Sequence, residues 1–227
     1  MKTSELIYDW NQALPTNLLP QGPVLLNDET LRDGLQSPSV RDPSIEQKLE
    51  ILHLMEELGI NALDLGLPGA GARAVEHVEA LAREIAGKRM KIRANCAART
   101  HENDIRPIVE ISQRAGIAIE AATFLGSSPI RRLVEDWTVD HLLRTTEDAV
   151  KLAVSNNLPC MYVTEDTIRT DPDTVNDKAD GRSQAGSDRS CRAKKSTIHF
   201  PAPSRNDLCD LPSQEPCQRF ISIGCRI

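Results

Sequence analysis

The sequence predicts an α/β fold in which parallel strands alternate with helices. Short apolar segments, each followed by a helix or a helix start, recur along the first three quarters of the chain. Alternation of this kind implies parallel strands joined by right-handed crossovers. The five predicted strands are 24–31, 60–67, 91–98, 117–125 and 160–165. The four predicted helices are 45–58, 74–86, 102–115 and 139–154.

Local signals support the helix boundaries. Ser44 and Gln47 have the spacing of a capping box, in which each side chain bonds the other residue's backbone N–H. Gly59 and Gly116 follow the predicted ends of two helices, where glycine is the preferred C-cap residue. We therefore expect the helices to begin and end close to these residues.

Two architectures fit this pattern, a (β/α)₈ barrel and an open doubly wound sheet. The nearest match to a dinucleotide-binding glycine motif, at 66–71, has the wrong spacing and follows the second strand. Polar residues instead lie at the carboxyl ends of several strands, where a barrel gathers its site. They are Arg32, Asp33, Asp64, Asn95, Thr123, Glu165 and Thr167. We therefore expect a partial TIM (β/α)₈ barrel of about five βα units.

Composition narrows the class of protein. The chain has 227 residues, a net charge of −6 and an isoelectric point near 5.4, so it offers no basic surface for nucleic acid. No apolar run approaches the roughly 20 residues of a membrane span, and the N-terminus has no signal-peptide core. We expect a cytoplasmic protein without a membrane partner, with Cys96 and Cys160 as buried free thiols.

The sequence divides into three parts. Residues 1–22 are an N-terminal lead-in, residues 23–172 form the partial barrel, and residues 173–227 form an irregular, disordered tail. Asp171 and Pro172 open a helix well, as N-cap and first helical residue, but no apolar stripe follows them. A reading-frame change near this point is one explanation of the lost pattern.

The stretch 24–38 is the strongest candidate site. An apolar strand leads into Arg32, Asp33 and Gln36, and the chain then turns at Pro38. A carboxylate beside a guanidinium at a strand end suits metal binding together with stabilisation of a developing anion. The alternative is a surface ion pair in a turn.

Residues 30–38, Thr-Leu-Arg-Asp-Gly-Leu-Gln-Ser-Pro, resemble the signature of the DRE-TIM metallolyases. This family includes 2-isopropylmalate, homocitrate and citramalate synthases and hydroxymethylglutaryl-CoA lyase, and the match is most similar to the 2-isopropylmalate synthase branch. Weaker matches follow in the family's order, and they extend the resemblance over about residues 24–172. They lie at 63–68 (with Asp64 where glutamate is usual), 93–95, 123–130 and 164–172.

The resemblance implies a TIM-barrel acyltransferase that condenses acetyl-CoA with a 2-keto acid, as in leucine biosynthesis. A divalent metal (Mg, Mn or Zn) chelates the keto acid, acetyl-CoA loses a methyl proton, its carbon attacks the keto carbon, and the thioester is hydrolysed. For the full-length family it also implies a homodimer.

The resemblance also implies roles for individual residues. Arg32 and Glu165 would be catalytic, and Asp33 would bind the metal. The residues implied to bind substrate are Gln36, Thr167, Asp64 and Asn95. For Asp64 and Asn95, ordinary strand-end hydrogen bonding is an equally good interpretation.

The chain departs from the family in its histidines. The family's metal site also uses a His-x-His pair, whereas the five histidines here include no two that lie two positions apart. Five strands also cannot close an eight-stranded barrel. We therefore expect a truncated or altered synthase whose condensation is impaired. The alternatives are a related lyase or aldolase, and a non-catalytic barrel fragment.

Overall fold

The computed structural model describes residues 24–175 and 219–223. The strands are β1 (Val24–Asp28), β2 (Ala62–Asp64), β3 (Arg93–Arg99), β4 (Glu120–Gly126), β5 (Cys160–Glu165) and β6 (Arg219–Ile223). The helices are α1 (Ile45–Glu57), α2 (Ala72–Lys88), α3 (Glu102–Ala115), α4 (Pro129–Glu135) and α5 (Val139–Ser155). The predicted lead-in and most of the predicted tail lie outside the described residues.

All six strands are parallel, in the order β5-β4-β3-β2-β1-β6. The first five form a curled half-barrel with helices, which confirms the predicted partial TIM-barrel fold. The sixth strand was not predicted, because it lies in the segment that we expected to be irregular. It pairs with β1 along one of the two edges that five strands alone would leave open.

Alternation along the strands separates two faces of the sheet. Side chains such as Leu63, Cys96 and Ala121 point outward and form one continuous apolar core with the helices. The concave face carries buried polar and small residues, among them Asn27, Asp64 and Asn95. The core therefore lies between the sheet and the helices, and the polar groups lie inside the curl.

A hydrogen bond across the concave face shows how strongly the sheet curls. The Nδ2 atom of Asn95 in β3 donates to Oδ1 of Asn27 in β1 at 2.7 Å, although β2 lies between the two strands. In a flat sheet these strands would be about 9 to 10 Å apart. The contact follows the pattern of barrels, in which alternate strands contribute to one interior layer.

The local signals act largely as predicted. Ser44 and Gln47 form both bonds of the capping box at the start of α1. The side chain of Asp171 accepts the backbone N–H of Thr174 at 2.8 Å, as an N-cap residue does. Cys96 and Cys160 are buried free thiols, as predicted.

Several elements differ from the prediction in their bounds, and one helix was not predicted. Strand β2 covers only Ala62–Asp64, which is much shorter than the predicted 60–67. Helix α4 was not predicted, since the predicted elements pass from the strand 117–125 directly to the helix 139–154, and Pro129 lies between them. Pro129 is the first residue of that helix, which Ser128 caps.

Within the described residues, no helix is both long and apolar enough to cross a membrane.

Candidate active site

The carboxyl end of β1 places an arginine among three carboxylates. Arg32 Nε donates to Asp64 Oδ2 at 2.9 Å, and its Nη1 lies 3.5 Å from Asp33 Oδ1. Its Nη2 donates to the carboxylate of Glu29. We call these four residues the Arg32 cluster. It joins the loop after β1 to the end of β2, where a parallel barrel builds its site.

The backbone after β1 explains why Arg32 reaches this position. The side chain of Asp28 accepts the N–H of Thr30 at 2.7 Å, which turns the chain at the strand end. The carbonyl of Glu29 then accepts the N–H groups of both Arg32 and Gly34 at 3.1 Å. This tight turn returns Arg32 across the sheet towards β2.

Asp64 is the buried anchor of the cluster. Its side chain accepts three bonds, from Arg32 Nε at 2.9 Å, from the Gly66 N–H at 3.0 Å and from the Ala97 N–H at 3.3 Å. Burial raises the pKa of Asp64 to about 7, and the charge of Arg32 and these hydrogen bonds only partly offset that effect. The pKa of Asp64 therefore lies well above that of an exposed aspartate, while its side chain joins three segments.

Arg32 keeps its charge in this setting. Burial opposes the charge on its guanidinium, but attraction to Asp64, Glu29 and Asp33 outweighs burial and raises its pKa. The side chain stays partly accessible, at 22% exposure. A fixed, partly exposed guanidinium at a strand end can bind a carboxylate or stabilise a developing oxyanion.

Asn95 belongs to a different group of the concave face. It is buried and bonded to Asn27, but it is the third residue of β3 and so does not lie at the carboxyl end where it was predicted. The pair sits on the same face of the sheet as Asp64, and Asp64 and Asn95 are register partners in β2 and β3.

A second group of polar residues lies at the ends of β4 and β5. Glu165 is exposed and lies against Gly126, where an added Cβ would come within 3.2 Å of Glu165 Oε2. Thr167 Oγ1 lies 2.6 Å from Thr164 Oγ1 in the turn that follows β5. This group is on the same edge of the sheet as the Arg32 cluster, but β3 separates the two pairs of strands.

Two hydroxyl contacts fix the loops of this second group. Ser128 Oγ donates to Asp166 Oδ2 at 3.0 Å, and the hydroxyls of Ser127 and Thr170 lie 3.1 Å apart. Asp166 adopts the left-handed region with φ at 57°, which is tolerated by aspartate. These contacts join the loops after β4 and β5, a feature that the sequence did not predict.

The described residues do not fit a complete metal site. Asp33 is partly exposed and could supply one ligand, but the other two carboxylates of the cluster face Arg32. Within the described ranges, no group of three or more His, Cys, Asp and Glu side chains is arranged to hold a metal ion. Catalytic metal sites typically use about three protein ligands, so the described residues alone would not hold a catalytic metal.

The remaining site predictions have different surroundings. Gln36 closes a short 3₁₀ turn, Gly34–Gln36, and is exposed. Glu29 was not predicted as a site residue. Its only signal was its position three residues before Arg32 at the end of a strand, which becomes informative once the turn geometry is known.

A parallel half-barrel with charged groups at its strand ends defines the class of partial TIM barrels, a fold in which sites form at this edge. Within that class, the family model described as HMGL-like matches residues 24–193. The chain belongs to this family, which confirms the resemblance to the DRE-TIM enzymes.

Curated relatives include two kinds of synthase. A 2-isopropylmalate synthase of Heliobacterium modesticaldum is 35% identical over 150 residues, which are 65% of this chain and 28% of that protein. Homocitrate synthase AksA of Methanocaldococcus jannaschii is 30% identical over 219 residues, which are 95% of this chain and 51% of that protein. The chain thus spans between about a quarter and a half of the length of these relatives.

Among solved structures, a truncated 3-deoxy-D-arabino-heptulosonate 7-phosphate synthase from Thermotoga maritima overlaps with a TM-score of 0.46 at 14% identity. The overlap covers 82% of this chain and 56% of that chain. It is no evidence of a shared function.

Proposed function

We propose that this chain carries the keto-acid-binding part of an acyltransferase of the 2-isopropylmalate synthase type. Such an enzyme condenses acetyl-CoA with a 2-keto acid, and we propose that the condensation itself is impaired in this chain. The names of the relatives support an acetyl-CoA-condensing activity, and their difference leaves the keto acid open between 2-oxoisovalerate and a larger acid such as 2-oxoglutarate.

The Arg32 cluster is the observation that carries this proposal. Asp64 holds the Arg32 guanidinium at the strand ends, with its charge intact and part of its surface accessible. A guanidinium in this position suits the carboxylate of a 2-keto acid and the alkoxide that forms when the keto carbon is attacked. Arg32 is therefore proposed as the catalytic residue of the cluster.

Other residues take supporting roles in the proposal. Asp33 would supply one ligand to a divalent metal, and Gln36 would bond the substrate from the exposed turn. Glu165 would act as an acid, a base or an orienting group from the β5 side, beside Thr167. Asp64 and Asn95 would bind the substrate from the concave face of the sheet.

Impairment follows from the metal ligands. A metal would act as a Lewis acid on the keto group when bound. The described carboxylates supply too few ligands, and the sequence has no His-x-His pair. We therefore propose binding of the keto acid without efficient turnover.

A thiol-release assay tests the proposed impairment. The chain, acetyl-CoA and either 2-oxoisovalerate or 2-oxoglutarate are incubated with Mg²⁺, Mn²⁺ or Zn²⁺. We expect no release of CoA above the rate without keto acid. Metal-dependent release that is lost in Asp33→Ala would show a competent synthase and contradict the impairment.

The alternatives have their own tests. A related lyase or aldolase would release products of carbon–carbon cleavage from a panel of hydroxy acids and their CoA thioesters. A non-catalytic barrel fragment would bind none of the keto acids. Size-exclusion chromatography of the whole chain also tests the homodimer that the resemblance implies.

We also propose that the protein is located in the cytoplasm. The buried free thiols of Cys96 and Cys160 are compatible with a reducing compartment. Fractionation of the native source would test it directly.

A further inference from the structure

Glu29 makes a contact that the proposed function does not require. It accepts a hydrogen bond from Nη2 of Arg32, and its side chain is 20% exposed. Its own carbonyl accepts the N–H groups of Arg32 and Gly34, so the turn fixes the backbone from which this side chain emerges. The contact is therefore built into the loop after β1.

The position on the guanidinium matters because of how arginine binds carboxylates. A bidentate carboxylate uses either Nε with Nη2 or Nη1 with Nη2. In the Arg32 cluster, Asp64 occupies Nε and Glu29 occupies Nη2. Since Nη2 belongs to both pairs of donors, an incoming carboxylate must share it with Glu29 or displace that side chain.

The net charge of the Arg32 cluster also opposes binding of a carboxylate. One guanidinium faces three carboxylates, those of Glu29, Asp33 and Asp64. Even when Asp64 carries a proton, the other two carboxylates exceed the single positive charge. A free keto acid is an anion, so it approaches a cluster whose net charge is negative.

We propose that Glu29 is a specificity-determining residue that competes with the substrate carboxylate for Nη2 of Arg32. This inference rests on the proposed keto-acid function of the cluster. Glu29 weakens binding of a free 2-keto acid and favours a keto acid whose charge is offset by a bound cation. In its absence, Nη2 of Arg32 is available to a carboxylate, while Nη1 keeps its longer contact of 3.5 Å with Asp33 Oδ1.

The test measures the dissociation constant of 2-oxoisovalerate by calorimetry, with and without Mg²⁺, for the whole chain and its variants. Glu29→Gln keeps the shape and removes the charge, and we expect it to bind the metal-free acid several-fold to tenfold more tightly than the unmodified chain. Glu147→Gln is the matched control, because it removes the same charge from an ion pair with Lys151 on α5. We expect no change in that control.

The outcomes distinguish failure of the proposed role of Glu29 from failure of the proposed keto-acid site. Unchanged or weaker binding in Glu29→Gln, with binding that still depends on Arg32, would overturn the role of Glu29 and leave the keto-acid site intact. No binding by any variant, with or without Mg²⁺, would overturn the proposed function and this inference with it. If Glu29→Gln does not fold, Glu29→Thr carries the same comparison.

Discussion

Arg32 and Asp64 join the loop after β1 to the end of β2 through one charged hydrogen bond of 2.9 Å. The carboxylate is 4% exposed, and its other oxygen accepts backbone N–H groups on the far side. The pair therefore sets the position of the guanidinium and makes that position depend on the charge of Asp64.

Asp64→Asn should change the pH dependence of stability. Burial raises the pKa of Asp64 to about 7 in the folded protein, against about 3.9 in an unfolded chain. Between these values the folded state holds a proton that the unfolded state releases. The free energy of unfolding of the unmodified chain should therefore fall as pH rises from 4 to 7, by about 1 to 4 kcal/mol relative to Asp64→Asn.

Urea unfolding at several pH values measures this difference. Asp42→Asn is a control of opposite sign, because a hydrogen bond from Lys48 lowers the pKa of Asp42. The stability that the Asp42 carboxylate supplies is present above its pKa in the unfolded chain, and it is lost as the pH falls below that value. Parallel curves for the unmodified chain and Asp64→Asn would contradict the raised pKa of the buried Asp64 carboxyl group.

Gly69→Ala should destabilise the loop after β2. An added Cβ would lie 2.4 Å from Asp104 Oδ1, and the carboxylate of Asp104 is held in place by hydrogen bonds. Arg99 holds it through Nε and Nη2, both at 2.7 Å. Overpacking of this kind costs about 1 to 3 kcal/mol. Urea unfolding at pH 7 would measure it.

Gly87→Ala is the matched control for this substitution. Gly87 lies in α2, and nothing lies within 4 Å of an added Cβ. Alanine is a better helix former, so the control should gain up to about 1 kcal/mol. Equal effects of the two substitutions would show that Asp104 yields, contrary to the tight contact.

Asp104→Asn should lower the free energy of unfolding at neutral pH. It should also make that free energy fall less as the pH is lowered. Although burial opposes the charge of Asp104, bonds from the side chain and backbone of Arg99 outweigh burial and lower its pKa. The stability that this carboxylate supplies is present above the unfolded pKa and is lost as pH falls through the folded value. We expect a cost of about 1 to 3 kcal/mol at pH 7 that shrinks below pH 4. A constant difference across this range would contradict the assignment.

His77→Gln should flatten the stability curve on the acid side of neutrality. Lys48 Nζ lies 3.1 Å from His77 Nδ1, and an ammonium can only donate, so Nδ1 accepts and the ring is neutral. Burial, Lys48 and Arg73 lower the pKa of His77, against the opposing charges of Asp42 and Glu76. The unfolded chain therefore takes up a proton first as pH falls.

The unmodified chain should thus lose stability relative to His77→Gln as pH falls from about 7.5 through the unfolded value near 6.5. Chemical unfolding at half-unit pH steps measures the two curves. Curves that stay parallel through this range would contradict the lowered pKa of His77 in the folded protein.

Much of the fold could be predicted because its signals are local. Apolar runs marked the first five strands, and the capping box fixed the start of α1. The signal for α4 was also local, since Ser128 followed by Pro129 matches an N-cap and first helical residue. Strand β6 has a short apolar run at 220–223, but no strand–helix alternation leads up to it, so its pairing with β1 is what defines it.

The site could be predicted only in part for the same reason. The adjacency of Arg32 and Asp33 is visible in the sequence, and polar strand ends indicated Asp64. The contact of Glu29 with Arg32 depends on the geometry of a turn. The bond between Asn27 and Asn95 depends on the curl of the whole sheet, which no short segment specifies.

Binding of 2-oxoisovalerate to the unmodified chain and to Arg32→Gln tests the proposed keto-acid site most directly. Arg106→Gln, which removes an exposed arginine of α3, is the control. Loss of charged hydrogen bonds predicts that Arg32→Gln weakens binding by about tenfold or more, while Arg106→Gln binds like the unmodified chain. Equal affinities of all three proteins would show that the Arg32 cluster is not the keto-acid site.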